Sequence, residues 1–337
     1  MKTLLITGGA GFIGSNFIRF VLENSDYHLI NYDLLTYSGN LDNLASIETN
    51  RRYSFVQGDI CDTKKLSELF TNHKIDGIIN FAAESHVDRS IIDSHPFIHS
   101  NVSGVVALMD VARQFEVPKF LQVSTDEVYG SANNGETFDE NANLQPNSPY
   151  SASKASADLL VRSYIKTHKF PAIITRSSNN FGPYQYPEKF IPLIINNALK
   201  NKKIPVYGDG LNIRDWIFVQ DNCNAIFQVF EKGKVGEIYN ISANNEKTNL
   251  EVVRTILRIL KKDDDLIEFV KDRPAHDRRY SINSQKLRKE LGWDTQTNFE
   301  DAIVFTIDWY KTNQHWLEKL INKTKFAEYY KTQYGLM

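Results

Sequence analysis

The stretch TLLITGGAGFIGS, residues 3–15, decides the fold. Its apolar run Thr3 to Thr7 reads as a short buried strand. Gly8, Gly11 and Gly14 then follow at once, and Ile13 to Asn24 carries helical spacing. Glycine permits a tight turn and lets backbone N–H groups approach a pyrophosphate. The helix start adds a dipole that favours an anion. The spacing is GxxGxxG, and it gains meaning from its place between strand and helix. A second run, His28 to Tyr32, leads into Asp33. An acid at about 20 residues past the glycines suits the ribose hydroxyls of a dinucleotide. It would repel a 2′-phosphate, and no arginine follows closely to offset this, so NAD is expected over NADP. An Asp that merely opens a turn is the plainer alternative. Asp59, after the third strand, is a candidate for the adenine.

Working outward, strands are expected near residues 54–57, 77–81, 119–123 and 172–175, and helices at 64–72, 102–115 and 150–167. Strands alternating with helices imply a doubly wound parallel sheet, Rossmann-like, with both faces covered. The second half is irregular and reads as a smaller, mixed α/β substrate domain. The expected boundaries are 1–178 for the nucleotide domain, with 212–242 returning to it, and 179–211 and 243–330 for the substrate domain.

The chain's 337 residues and 42% hydrophobic content allow a large core. A net charge of −2 gives no basic footprint for nucleic acid. No run of about 18 apolar residues exists, so no membrane span is expected. The N-terminal apolar run breaks at glycines, unlike a signal peptide. Cys61 and Cys223 are too few for a disulfide framework and are expected to be buried thiols. No metal is expected, and the cytoplasm is the default compartment.

Tyr150 and Lys154 stand four apart in PYSASK, which places both on one helix face. A nearby ammonium is expected to favour the tyrosinate. Such a phenol can take the proton of a sugar hydroxyl during oxidation. Thr125, Asp126 and Glu127 follow the strand KFLQVS, at the end where parallel sheets bind ligands. Thr125 can bond the hydroxyl being oxidised. The paired acids suggest acid and base work, with one proton held on the pair. A surface turn with solvated acids is the bland alternative.

The segments TGGAGFIGS, FAAESHVDRS, STDEVYG, PYSASK, SNNFGPYQYPEKFIP, YGDGLNIRDW and DRPAHDRRY occur in this order. Together they resemble the extended short-chain dehydrogenase/reductase family, and within it the nucleotide-sugar 4,6-dehydratases, from about Lys2 to Trp309. The acidic pair after Thr125 separates these dehydratases from related epimerases. The resemblance implies a lyase acting on a nucleotide sugar, with dTDP-glucose favoured. The sugar would be oxidised at carbon 4, dehydrated across carbons 5 and 6, and re-reduced at carbon 6 on tightly bound NAD. Tyr150 would take the first proton, Glu127 the proton of carbon 5, and Asp126 would protonate the departing hydroxyl.

The resemblance also implies roles elsewhere. Phe12, Ile13, Leu35, Thr36, Ile60, Phe81, Ala82, Ala83, Ser85, Ser100 and Asn180 would surround the cofactor, with Tyr150 and Lys154. Ser85, His86, Asn179, Lys189, Phe190, Pro205, Val206, Tyr207, Arg214, Asn249, Arg273 and His276 would hold the substrate, with Tyr207 stacked on the base. Plainer readings remain for several. Arg214 could bridge Asp215 or Asp209, and Lys189 could be a surface charge. Ala275 stands where the family commonly has glycine, which puts the placement of Arg273 and His276 in question. A homodimer through helices of the nucleotide domain is implied. UDP-glucose dehydration, a UDP-sugar 4-epimerase and a non-catalytic NAD-binding protein are the rival readings. The downstream deoxysugar, rhamnose or another, stays open.

Overall fold

A computed structural model describes residues 2–322. The expected end of the second domain at residue 330 therefore lies partly outside the described residues.

The opening run forms β1 (Thr3–Thr7), and α1 (Phe12–Asn24) starts directly after the glycine turn. Then come β2 (His28–Asp33), β3 (Tyr53–Gln57), α2 (Thr63–Asn72) and β4 (Gly77–Asn80). Two short helices, α3 (Val87–Ile92) and α4 (His95–Ile98), precede α5 (Gly104–Gln114) and β5 (Phe120–Thr125). The long helix α6 (Pro149–His168) leads to β6 (Ala172–Ser177). The segment after it holds β7 (Asn179–Phe181), α7 (Phe190–Leu199), β8 (Ile204–Tyr207) and β9 (Ile213–Phe218). Next stand α8 (Val219–Lys232), β10 (Ile238–Ile241), β11 (Glu246–Thr248) and α9 (Asn249–Leu260). The last elements are β12 (Ile267–Val270), α10 (Gln285–Leu291), α11 (Phe299–Thr312) and α12 (Gln314–Ile321).

Seven strands pair in the order β10-β6-β5-β4-β1-β2-β3, all parallel. Their near-continuous burial follows from having helices on both faces. On one face Phe17, Val21, Ile226 and Val229 of α1 and α8 join the core. On the other, Leu66, Phe70, Leu108, Met109 and Val161 of α2, α5 and α6 do the same. The order reverses between β1 and β4, which opens a crevice beyond the carboxyl ends of these strands.

The rest of the chain builds a three-stranded sheet, β11-β9-β7, and a pair, β12-β8. Of the segment 212–242, β10 pairs with β6 and α8 packs on α1, while β9 stands in the smaller sheet. A buried polar contact joins the two halves: Trp316 Nε1 donates to Asn43 at 2.9 Å. Within the second half, Tyr310 donates to the Gln185 carbonyl at 2.6 Å.

Two glycines of the first turn are dictated by space. Gly8 has φ 69, and a Cβ there would lie 2.6 Å from the Ala82 nitrogen. A Cβ on Gly14 would strike the Gly8 carbonyl oxygen and come within 2.8 Å of Gly9 Cα. At Gly11 the nearest atom would be 3.3 Å away. Gly14→Ala is therefore expected to destabilise by about 1–3 kcal/mol, the usual range for overpacking, and Gly11→Ala by less. Thermal unfolding of the two variants checks this, and equal losses would contradict the spacing argument.

Candidate active site

The glycine turn, β2 and β3 frame a cleft with a volume of about 230 Å³. Gly8, Gly11, Phe12, Ile13, Gly14, Asp33, Thr36, Asp59 and Ile60 line one end. Phe81, Ala82, Ala83, Ser85, Ser100, Tyr150 and Lys154 line the other. Asp33 is buried, and its two oxygens accept from the Ala10 and Leu35 amides at 2.9 and 2.8 Å. Those bonds fix the carboxylate at the tip of β2, where spare lone pairs can meet ribose hydroxyls. Burial nonetheless raises its pKa. Leu35 turns its side chain to the core and offers the cleft only its backbone neighbourhood. The glycine cradle, the helix start and this acid fit a dinucleotide. Cys223 is buried, but Cys61 is only partly so, against the expectation of two buried thiols. Ligand atoms of Cys61, Asp59 and His99 lie within 4.8 Å of one another.

Strand β5 delivers the chemistry. Thr125 ends it and caps the following turn, accepting from the Glu127 amide at 3.3 Å. Its hydroxyl donates to Asp126 Oδ1 at 3.2 Å. Helix α6 begins with Ser148 as its cap, a reciprocal bond to Ser151, and Pro149 in the first turn. Tyr150 thus sits in that first turn, with Lys154 one turn on, and both are buried. The Lys154 ammonium donates to the Val123 carbonyl of β5 at 2.7 Å.

The electrostatics are unequal between the two acids. Asp126 is 3% exposed, and burial pushes its pKa well above the carboxylate range; the Glu127 and Asp215 charges push the same way. Burial also raises Glu127, but Arg273, Arg214 and Lys189 oppose it. Asp126 Oδ2 and Glu127 Oε2 are buried atoms without a protein hydrogen-bond partner. The pair is thus turned away from bulk water, and Asp126 is the member disposed to keep its proton. Tyr150 departs from the sequence expectation. Burial, then the Glu127 charge, raises its pKa, against a hydrogen bond from Thr125 that lowers it. The amine meant to lower it points to Val123, and burial brings Lys154 itself down to about 8.

The second half contributes the cations. Lys189 is not a free surface charge: it is half-buried and donates to the Ser85 carbonyl at 2.8 Å. Arg214 bridges neither Asp215 nor Asp209. Its guanidinium donates to the Asp277 and Ile213 carbonyls and lies 4.1 Å over the Tyr280 ring. Asp209 pairs with Arg278 instead, and Asp215 accepts from Ser242 and nearby amides. Arg273 stands 3.5 Å from Asp88, which also accepts from the Tyr207 hydroxyl at 3.1 Å. The His276 ring meets Tyr207 edge-on and bonds Asp272 at 2.6 Å. Ala275 between them takes φ 51, the left-handed conformation that glycine adopts freely.

Other expected contacts are more mixed. His86 is buried, 3.8 Å from Glu188. Asn179 and Asn180 keep unpartnered buried oxygens on β7. Phe190 stacks on Trp216 at 6.0 Å, and Pro205 and Val206 are packed into β8. Asn249 opens α9, largely buried. Residues not singled out from the sequence complete the site. Glu188 is fully buried against Arg89 at 2.8 Å, and Arg89 lies over the Tyr37 ring. Asp88, Asp277 and Tyr280 organise the arginines. HVDRS and PEK held the signal for Asp88 and Glu188, as charges beside residues already chosen.

A cleft that fits a dinucleotide, with Ser124 and Tyr150 on its wall and Asp126 and Glu127 next along the chain, is the arrangement of an oxidoreductase-type fold with two acids beside its cofactor cleft. The family model for GDP-mannose 4,6 dehydratase matches residues 5–305. The dTDP-glucose 4,6-dehydratase of Neisseria meningitidis serogroup B is 46% identical, over 96% of this chain and 97% of its own. The crystal structure of the Bacillus anthracis dTDP-glucose 4,6-dehydratase in complex with NAD superposes with TM-score 0.90 at 49% identity, covering 95% of this chain and 100% of that one. DesIV of Streptomyces venezuelae, a dTDP-glucose 4,6-dehydratase solved with NAD bound, gives 0.92 at 44%, covering 94% and 99%. The chain belongs to the nucleotide-sugar 4,6-dehydratase family of short-chain dehydrogenases/reductases.

Burial, with help from Arg273, holds His276 down at about 4 against an ordinary 6.5, so the ring is neutral at pH 7. A lowered folded value means that this group's support for the fold is full above about 6.5 and is lost as pH falls toward 4. A histidine NMR titration is expected to show a midpoint near 4, falling further in Asp272→Asn because that partner raises it. A midpoint at or above 6.5 would contradict the arrangement.

Proposed function

We propose that the chain dehydrates dTDP-glucose to the 4-keto-6-deoxy sugar nucleotide on bound NAD. The observation that carries this is the pair of buried Asp126 and half-buried Glu127 beside Thr125 and Tyr150, with three cations acting on Glu127. A plain oxidoreductase has no use for two acids there. When bound, NAD supplies the oxidation at carbon 4 and the re-reduction at carbon 6. Thr125 and Tyr150 bind the carbon 4 hydroxyl, and Tyr150 accepts its proton as the phenolate, a form that its surroundings disfavour before cofactor and substrate are bound. The resulting ketone acidifies carbon 5, whose proton Glu127 removes while Asp126 protonates the hydroxyl leaving carbon 6. Neighbouring carbons need an acid and a base together, and the unequal surroundings of the two carboxyls supply them.

Gly8, Gly11 and Gly14 would cradle the pyrophosphate, Asp33 the ribose and Asp59 the adenine. Arg214 and Arg273 suit the substrate diphosphate, because the guanidinium fork matches paired oxygens. Tyr207, beside His276, would meet the base. The parallel sheet with α8 and β10 forms the nucleotide domain, and the small sheets the substrate domain. Exposed Ile91, Ile92, Ile98 and Leu159 on the packed helices α3, α4 and α6 support a homodimer. Among the described residues no helix is long and apolar enough to cross a membrane. Two unpaired thiols suit a reducing cytoplasm, and the product class suits deoxysugar synthesis such as that of rhamnose.

Purified protein given dTDP-glucose is expected to form a 4-keto product that absorbs in alkali. UDP-glucose is expected to turn over roughly 5- to 150-fold less efficiently, since one methyl group contributes about 1–3 kcal/mol. Equal turnover would remove the thymidine preference, and no keto product from either would remove the dehydratase reading. Glu127→Gln is expected to keep bound cofactor and to slow product formation by about 10²–10⁴, the range for a lost general base.

A further inference from the structure

Behind the reacting groups runs a buried polar chain that the mechanism above does not use. Asp158 lies on α6 one turn past Lys154 and is 0% exposed. Its Oδ2 accepts from Arg176 Nε on β6 at 2.8 Å, while Oδ1 is buried without a hydrogen-bond partner. Arg176, 1% exposed, donates through Nη1 to the Tyr129 hydroxyl at 2.7 Å and lies over the Tyr129 ring. Tyr129 closes the turn that begins at Asp126, and its hydroxyl donates to Asn240 on β10 at 2.8 Å. The chain therefore starts on the helix bearing Tyr150 and Lys154 and ends on the turn bearing Asp126 and Glu127.

We propose that Asp158 is a positioning residue for the reaction: through Arg176 and Tyr129 it holds α6 against the acidic turn, and its carboxylate is the negative charge shared by Arg176 and the Lys154 ammonium. This rests on the dehydratase reading and deepens it. A buried ion pair is weak evidence for stability alone, since apolar residues can fill such space as well. Here the pair touches two catalytic segments at once, which an apolar filling would not link.

Tyr150 shares the helix with Lys154. Asp126, Glu127 and Tyr129 occupy the turn after β5, and Arg176 stands on β6. Asp33, Asp59, Glu84 and Lys189 line the cleft that the amine borders. Among these groups, Asp158 is the one whose charge opposes the effect of burial on Lys154. Removing it leaves the amine with desolvation alone, so the amine loses its proton at lower pH.

Asp158→Asn keeps the shape and an acceptor for Arg176 and deletes the charge. In the holoenzyme, the alkaline limb of the kcat profile with dTDP-glucose is expected to move down by about one pH unit, with KM changed less than twofold. Side-chain NMR of the Lys154 amine is expected to show the same shift. Asp158→Glu is expected to restore the limb at least partly. Tyr129→Phe cuts the links to Arg176 and Asn240 without touching charge. It is expected to lower kcat severalfold with KM and both limbs unmoved, and it serves as the second arm should Asp158→Asn fail to fold. An Asp158→Asn enzyme that is merely less heat-stable, with wild-type profile and amine titration, would overturn the proposal. So would wild-type kcat in Tyr129→Phe where Asp158→Asn does not fold. A wild-type enzyme inert toward dTDP-glucose would instead refute the dehydratase reading itself.

Discussion

Two adjacent carboxylates withdrawn from water repel each other and forfeit hydration, and the rest of the site is arranged around that cost. The structure does not relieve both equally. For Asp126, burial and two further negative charges, Glu127 and Asp215, outweigh the Thr125 hydroxyl and the Arg214 charge. Glu127 feels Arg273, Arg214 and Lys189. Those cations come from three separate segments of the second half. The acidic turn belongs to the parallel sheet. The site is therefore electrostatically complete only when the second half is seated on the first. The buried contact from Trp316 to Asn43 on the sheet side has a functional weight that its individual energy does not show.

Strand β5 explains why the remaining groups keep register. It lies inside the sheet, paired with β6 from Phe120 to Thr125 and with β4 from Phe120 to Gln122. Its Val123 carbonyl holds the Lys154 ammonium, its Thr125 hydroxyl caps the acidic turn, and the acids follow immediately. A slip of one residue would exchange faces and break all three relations together. Helix α6 is tied to the same strand from the other side, because the Ser148 cap sets where its first turn begins. Phenol, amine and acids are thus fixed by one strand and one helix start, both rigid elements.

What could be read from the sequence divides along the range of the forces involved. The glycine turn was legible because its constraint is local: a Cβ at Gly8 or Gly14 meets backbone in the same motif or its neighbour strand. The alternation of strands and helices up to Ser177 was legible for the same reason. The short elements α3, α4, β7 and β8 were not, since three- to six-residue pieces carry too little periodicity to announce themselves. Partners were the least legible. Nothing near Arg214 in sequence indicates that it would choose the carbonyl of Asp277 over two nearby acids. Nothing near Tyr150 indicates that Lys154 would turn to Val123. Such choices depend on burial, which the sequence expresses only through the whole fold.

Three residues with side chains hold left-handed backbone at the rim of the site: Leu35 at φ 58, Tyr184 at φ 67 and Ala275 at φ 51. Each costs about 1–2 kcal/mol relative to a right-handed conformation. Ala275 is instructive because glycine would take its conformation without strain. Alanine restricts the unfolded chain and recovers about 0.4–1 kcal/mol on that account, which does not cover the strain. The difference must come from tertiary contacts that hold the loop: Arg273 against Asp88, and the His276 ring against Asp272 and Tyr207. The loop's shape is therefore imposed by the side-chain contacts of Arg273 and His276, not by local backbone preference. That is why a residue poorly suited to its own dihedral angle still leaves the arginine and the histidine facing the site.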